Sequence, residues 1–180
     1  MNPPPFLLPS LLLLLAAAAA APHLAGADTL HETCNFLGGD YINYDYCVST
    51  LSSDPAIATA DNHGLAVISI NLTATNATAL RSRADGLAQA DPDSFVRAQL
   101  RNCSALYAAA LPDIRKSADA AADRNYGGAT EMLAGVLRVP AGCDEAFKSR
   151  EGVVSPIRRE NDEFSDLASL AKAVNNYMSR

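Results

Sequence analysis

Residues 91–114 read DPDSFVRAQLRNCSALYAAALPDI, and this stretch decides the fold. Val96, Leu100, Cys103, Tyr107, Ala110 and Ile114 recur at the three- and four-residue spacing of a single helix face. Asp91-Pro92 reads as an N-cap followed by proline at the first helical position, where its missing N–H costs no hydrogen bond. Pro112 falls inside the same pattern and predicts a kink or break near Leu111.

Working outward, residues 62–88 predict a long helix carrying Leu65, Ile68, Leu72, Thr75 and Ala79 on one face. A third helix is expected from about Asn125 to Leu137. A fourth opens at Ser155-Pro156 or a little later and aligns Phe164, Leu167, Leu170, Val174 and Tyr177. Alternating strand patterns are nearly absent. Four amphipathic segments on short connections imply an all-α protein, an antiparallel four-helix bundle. Residues 29–60 differ in texture: Gly38-Gly39 interrupts them, tyrosines crowd Tyr41 to Tyr46, and Asp54-Pro55 caps one more short helix. They predict two short helices in a hairpin ahead of the bundle.

Residues 1–27 contain no Lys, Arg, Asp or Glu, and Leu11 to Ala21 is an unbroken run of Leu and Ala. Ala25-Gly26-Ala27 supplies the small side chains that signal peptidase requires. The run falls short of the roughly 20 residues of a membrane span. The expectation is therefore a leader over 1–27 and a single secreted domain over 28–180. In an oxidising compartment the four cysteines read as disulfides, not as zinc ligands or redox thiols. Three pairings are open. The local one, Cys34–Cys47 with Cys103–Cys143, is favoured because each bridge closes a loop within one helical hairpin. Such loops are worth about 3 and about 4 kcal/mol in the chain-entropy account. Two sequons, Asn71-Leu72-Thr73 and Asn76-Ala77-Thr78, lie on a partly exposed helix face and read as glycan sites. In Asn102-Cys103-Ser104 the middle residue belongs to a disulfide, so it reads as a poor acceptor.

The formal net charge is −6, with only three lysines and with arginines interspersed among acids. That balance argues against nucleic acid or an anionic membrane as partner. Only His31 and His63 lie beyond the leader, and no nucleophile elbow, P-loop, dinucleotide fingerprint or HExxH motif is present. Asp119 and Asp123, four residues apart, read as a solvated helix face. No catalytic residue, metal or cofactor is expected.

Several segments together resemble the plant invertase and pectin methylesterase inhibitor family. They are Cys34 with Tyr44-Asp45-Tyr46-Cys47, Cys103 with Leu106-Tyr107, and Cys143-Asp144-Glu145-Ala146-Phe147. More narrowly, Asn43 to Cys47, Asp61…Gly64-Leu65…Val67-Ile68-Ser69 and Gly152 to Pro156 are similar to invertase inhibitors of the pollen-allergen type. The resemblance spans about Thr33 to Tyr177. It implies a four-helix bundle with an N-terminal helical hairpin, the local disulfide pairing, and reversible one-to-one inhibition of a cell-wall enzyme without a cofactor.

In invertase inhibitors of this family a Pro-Lys-Phe element between the third and fourth cysteines presents a cation and an aromatic ring to the sucrose cleft. The matching stretch here is Asp123-Arg124-Asn125-Tyr126. The resemblance therefore assigns partner binding to Arg124, Asn125 and Tyr126, with Arg124 as the cation and Tyr126 as the ring. The relatives' small Ser-Ala-Ala element is replaced by Ala134-Gly135-Val136. Independently, a glycosidase cleft works through two carboxylates, which an arginine beside an aromatic ring can engage. Gly127-Gly128 lowers helix propensity by about 1 kcal/mol per residue, so a loose segment is expected there, an ordinary helix start being the alternative. The expected partner is an acid invertase, with a pectin methylesterase as alternative target. A non-inhibitory secreted structural or signalling bundle is the third reading. The expected location is the apoplast or cell wall, with the vacuole as alternative. Similar modules precede catalytic domains in some pectin methylesterases; nothing follows this bundle, so no fused enzyme is expected.

Overall fold

The structure, a computed structural model, describes residues 25–39 and 42–180. The described residues form seven α-helices and one 3₁₀ turn, with no strand. Helices α1 (Ala25–Leu37) and α2 (Tyr44–Leu51) make an N-terminal hairpin joined by the Cys34–Cys47 disulfide. The 3₁₀ turn Pro55–Thr59 follows, capped by Asp54, whose Oδ1 accepts from the Ala56 N–H at 2.8 Å. Then come α3 (Asn62–Ala90), α4 (Ser94–Ala122), α5 (Tyr126–Val136), α6 (Val139–Phe147) and α7 (Arg158–Met178). Most of the expected leader lies outside the described residues; its last three residues open α1.

Helices α3, α4, α5 and α7 form the four-helix bundle, with α3 against α4, α4 against α5, α5 against α7, and α7 back against α3. They run up and down in turn. One end therefore gathers the start of α3, the end of α4, the start of α5 and the end of α7. At that end Asn175 Nδ2 donates to the Ala66 carbonyl at 3.2 Å. The hairpin docks there too, where Leu30, Cys34 and Leu51 share a core with Leu65, Leu170 and Val174. Along the bundle axis Ile70, Leu80, Ile114 and Leu133 surround Tyr107 and Phe164, whose rings meet edge to face at 5.1 Å. The opposite end is closed by Leu100, Phe147 and Ile157 around the Cys103–Cys143 disulfide, which ties α4 to α6.

All six positions of the α4 stripe are buried, as its period demands. The start of the helix differs from expectation. Asp93 is the N-cap, its Oδ1 accepting from Phe95 N at 2.8 Å and Val96 N at 3.3 Å. Asp91 is already occupied as the cap ending α3, its N–H bonded to the Leu87 carbonyl at 2.9 Å, and its extended backbone suits a residue before proline. Arg150 Nη1 donates to Asp93 Oδ1 at 3.2 Å and its guanidinium lies 4.3 Å over the Phe95 ring, so the chain after α6 is clamped to the start of α4. That arginine also holds the Asp93 carboxyl below its ordinary value.

Pro112 does not break α4, which runs through it unbroken. The proline lies on the exposed face, where the carbonyl it leaves without a donor is near water. On α3 the inward stripe is Ala66, Ile70, Thr73, Ala77, Leu80, Ala84 and Ala88, while Thr75 and Ala79 are exposed. Leu65 and Ile68 of the expected face are buried, but beyond them small residues on every side of the helix leave little apolar contrast, so the lower half of the face is displaced. Helix α6, opened by Pro140 in its first turn, was not expected.

Candidate partner-binding site

Residues 123–125 join α4 to α5 at the bundle end that carries the hairpin. Asn125 N donates to the Ala120 carbonyl at 2.8 Å and Arg124 N to Ala121 at 2.9 Å. These two bonds are the Schellman pattern, which places the residue after the helix cap in the left-handed region. Glycine usually occupies that position. Here it is Arg124, with φ of 61°, and it is the one non-glycine residue at positive φ among the described residues. A side-chain-bearing residue there costs about 1–2 kcal/mol. The turn therefore holds a cation out in solvent at a position where glycine would be more stable.

Asn125 is the N-cap of α5, its Oδ1 accepting from Gly128 N at 3.1 Å. A Cβ on Gly128 would stand 2.6 Å from Asn125 Nδ2, whereas one on Gly127 would meet nothing within 4 Å. Gly127 and Gly128 are thus helical, and the expected loose segment is corrected to an ordinary capped start. One cap bond and the packing of Ala129 and Leu133 outweigh the propensity cost. Tyr126 opens α5 half-buried against both core clusters, and its hydroxyl lies 3.0 Å from His63 Nδ1 at the start of α3. Of the three residues expected to bind a partner, the structure brings all together on one turn: Arg124 projects, Asn125 caps, and Tyr126 is pinned. The role of His63 had no signal beyond its residue type.

A second polar arrangement was not foreseen, although Tyr107 and Asp144 lie in segments that carry the family resemblance. The buried Tyr107 hydroxyl donates to Asn161 Oδ1 at 2.7 Å, and Asn161 Nδ2 donates to Asp144 Oδ1 at 2.6 Å. Burial raises the Tyr107 hydroxyl pKa, and the nearby Asp144 charge adds to it. Burial likewise raises the Asp144 carboxyl, against the Asn161 bond that favours its anion. This chain ties α4, α7 and α6 together beneath a groove of about 360 Å³ bordered by Val154 and Arg158. Among the sequon residues, Asn71 and Asn102 are exposed, while Asn76 is half-buried with its Oδ1 enclosed. Among the described residues no cluster of His, Cys, Asp or Glu is arranged to hold a metal ion. No helix among them is long and apolar enough to cross a membrane.

This bundle, hairpin and pair of bridges coincide with a match over residues 28–174 to the family described as plant invertase/pectin methylesterase inhibitor. The chain belongs to that family. A "Putative invertase inhibitor" of Platanus acerifolia is 29% identical over 150 residues, covering 82% of this chain and 84% of the relative. The "Cell wall / vacuolar inhibitor of fructosidase 2" of Arabidopsis thaliana is 32% identical over 123 residues, 68% of each chain. A crystal structure of mutant form A of a pectin methylesterase inhibitor from Arabidopsis superposes with a TM-score of 0.67, at 18% identity. It covers 81% of this chain and 95% of that one, and it establishes a common fold. The plant invertase/pectin methylesterase inhibitor family is one of enzyme inhibitors, and in this member Arg124 is an exposed cation on left-handed backbone.

Proposed function

We propose that this chain, exported to the apoplast and matured to residues 28–180, inhibits an acid invertase by a reversible one-to-one complex and catalyses nothing itself. The observation that carries the reading is Arg124, exposed on a left-handed residue at the end of the bundle. A guanidinium presented in this way fits a cleft that operates through paired carboxylates, where it can form a bidentate, charge-assisted contact. The exposed part of the Tyr126 ring offers a stacking surface beside it, and Asn125 acts by fixing the turn. The relatives named for invertase and fructosidase inhibition support the same target, and the name of the second supports cell wall or vacuole as the place.

The test is a parallel assay of the oxidised protein against a purified acid invertase and a plant pectin methylesterase at mildly acidic pH. Invertase inhibition that falls at least tenfold, about 1.4 kcal/mol or more, in Arg124→Ala with the fold intact supports the reading. Unchanged inhibition in that variant removes the role of the turn. The family description also covers pectin methylesterase. Inhibition of that enzyme alone would move the interface to the polar outer face of α3, where Thr75 and Thr78 are exposed. A folded protein that inhibits neither enzyme would favour a structural or signalling bundle.

A further inference from the structure

The Asn102-Cys103-Ser104 sequon reads as blocked by its disulfide, but the folded structure and the order of synthesis point the other way. Asn102 is exposed on α4, so a glycan attached there projects into solvent without displacing any core side chain. Its neighbours Cys103 and Ser104 are both buried. The hydroxyl that defines the acceptor is therefore hidden once the chain has folded, and attachment has to precede folding.

The bridge does not prevent that. Cys103 pairs with Cys143, which follows 40 residues later. At about 5–20 residues per second, Asn102 enters the export compartment roughly 2–8 s before Cys143 is available. Disulfide formation itself takes seconds to hours. During that interval the sequon is an unbridged, unfolded segment.

We infer that Asn102 carries an N-linked glycan in the secreted protein, added before the Cys103–Cys143 bridge closes around it. The inference rests on the export reading above. Arg124 lies 22 positions further along the same helix and its cap, roughly 30 Å away at about 1.5 Å per residue. A glycan at Asn102 thus leaves the proposed binding end clear.

The experiment is site mapping of the chain expressed behind its own leader and recovered from the medium, with a peptide N-glycanase in heavy-oxygen water. Label at Asn102 is expected in the wild type, at higher occupancy in Cys143→Ser, where the window never closes, and absent in Ser104→Ala. An unlabelled Asn102 in the wild type overturns the inference. Label appearing only in Cys143→Ser overturns it as well, by showing that the bridge closes first. Because that variant can fail to leave the cell, its intracellular pool is mapped alongside. A wild-type chain that never reaches the medium defeats the export reading, and this inference falls with it.

Discussion

The Tyr126 hydroxyl lies 3.0 Å from Nδ1 of His63, across 63 residues of sequence, and so joins the first turns of α5 and α3. This bond fixes the aromatic ring next to Arg124. Tyr126→Phe retains the ring and loses the bond, and should cost about 1 kcal/mol in urea unfolding. His63→Ala measured alone and with Tyr126→Phe should give a coupling of about 0.5–1.5 kcal/mol. A coupling near zero would show that the contact ties nothing together.

The two adjacent glycines should respond with opposite sign. Gly127→Ala has open space and gains helix propensity, so it should stabilise by roughly 0.5–1 kcal/mol. Gly128→Ala puts a methyl group against the Asn125 cap and should not gain. In an Asn125→Ala background the penalty at residue 128 should disappear. Equal melting shifts for both single variants would refute the cap argument.

Arg124→Gly separates stability from function. Relief of the left-handed backbone should raise stability by about 1 kcal/mol, while invertase inhibition falls at least tenfold, as in Arg124→Ala. Stability by thermal melt and inhibition by assay are read on one sample. A glycine variant that is both less stable and fully inhibitory would contradict the account of this turn.

Asp144 predicts a pH dependence of stability. Burial raises its carboxyl in the folded state, so the native protein holds that proton more tightly than the unfolded chain does. Its contribution is therefore favourable in acid and lost as pH rises through the folded value. Asp144→Asn keeps an oxygen for Asn161 and removes the charge. It should melt higher than wild type at neutral pH, with the advantage shrinking towards acid. A melting difference that does not vary with pH would exclude burial of the charge as its cause.

Much of this arrangement was legible in the residues. The period of Val96 to Ile114 defined α4, and the apolar spacing from Phe164 to Val174 defined α7, because large side chains mark the inward face there. On α3 Leu65 and Ile68 were legible, but further along the face is built from Ala77, Ala84 and Ala88 with Leu80, and the alanines carry little apolar contrast, so that half of the stripe was misplaced. Capping was half legible: Asp54 announced itself, but Asp91 and Asp93 are two equivalent acids, and the link between helices assigns one to each end. The site was legible as a segment but not as a geometry. Nothing local to residue 124 signals a positive φ on an arginine, and no spacing rule connects Tyr126 to His63.

The order in which the helices pack has a kinetic consequence. Each of α3, α4 and α5 lies against the next helix of the bundle, so most contacts between bundle helices join near neighbours in the chain. The return of α7 onto α3 spans the bundle, sealed by Asn175 on the Ala66 carbonyl, and the packing of α1 on α7 reaches further still. Pairing each helix with the next one of the bundle keeps loop closures short, which favours rapid formation of the bundle. With its bridges intact the bundle should form in a fast phase, with docking of α7 as the step that registers in the rate. Slower phases should follow from chains whose X–Pro bonds, such as those at Pro92, Pro112 and Pro140, isomerised while unfolded. From the reduced state, reoxidation should set the pace.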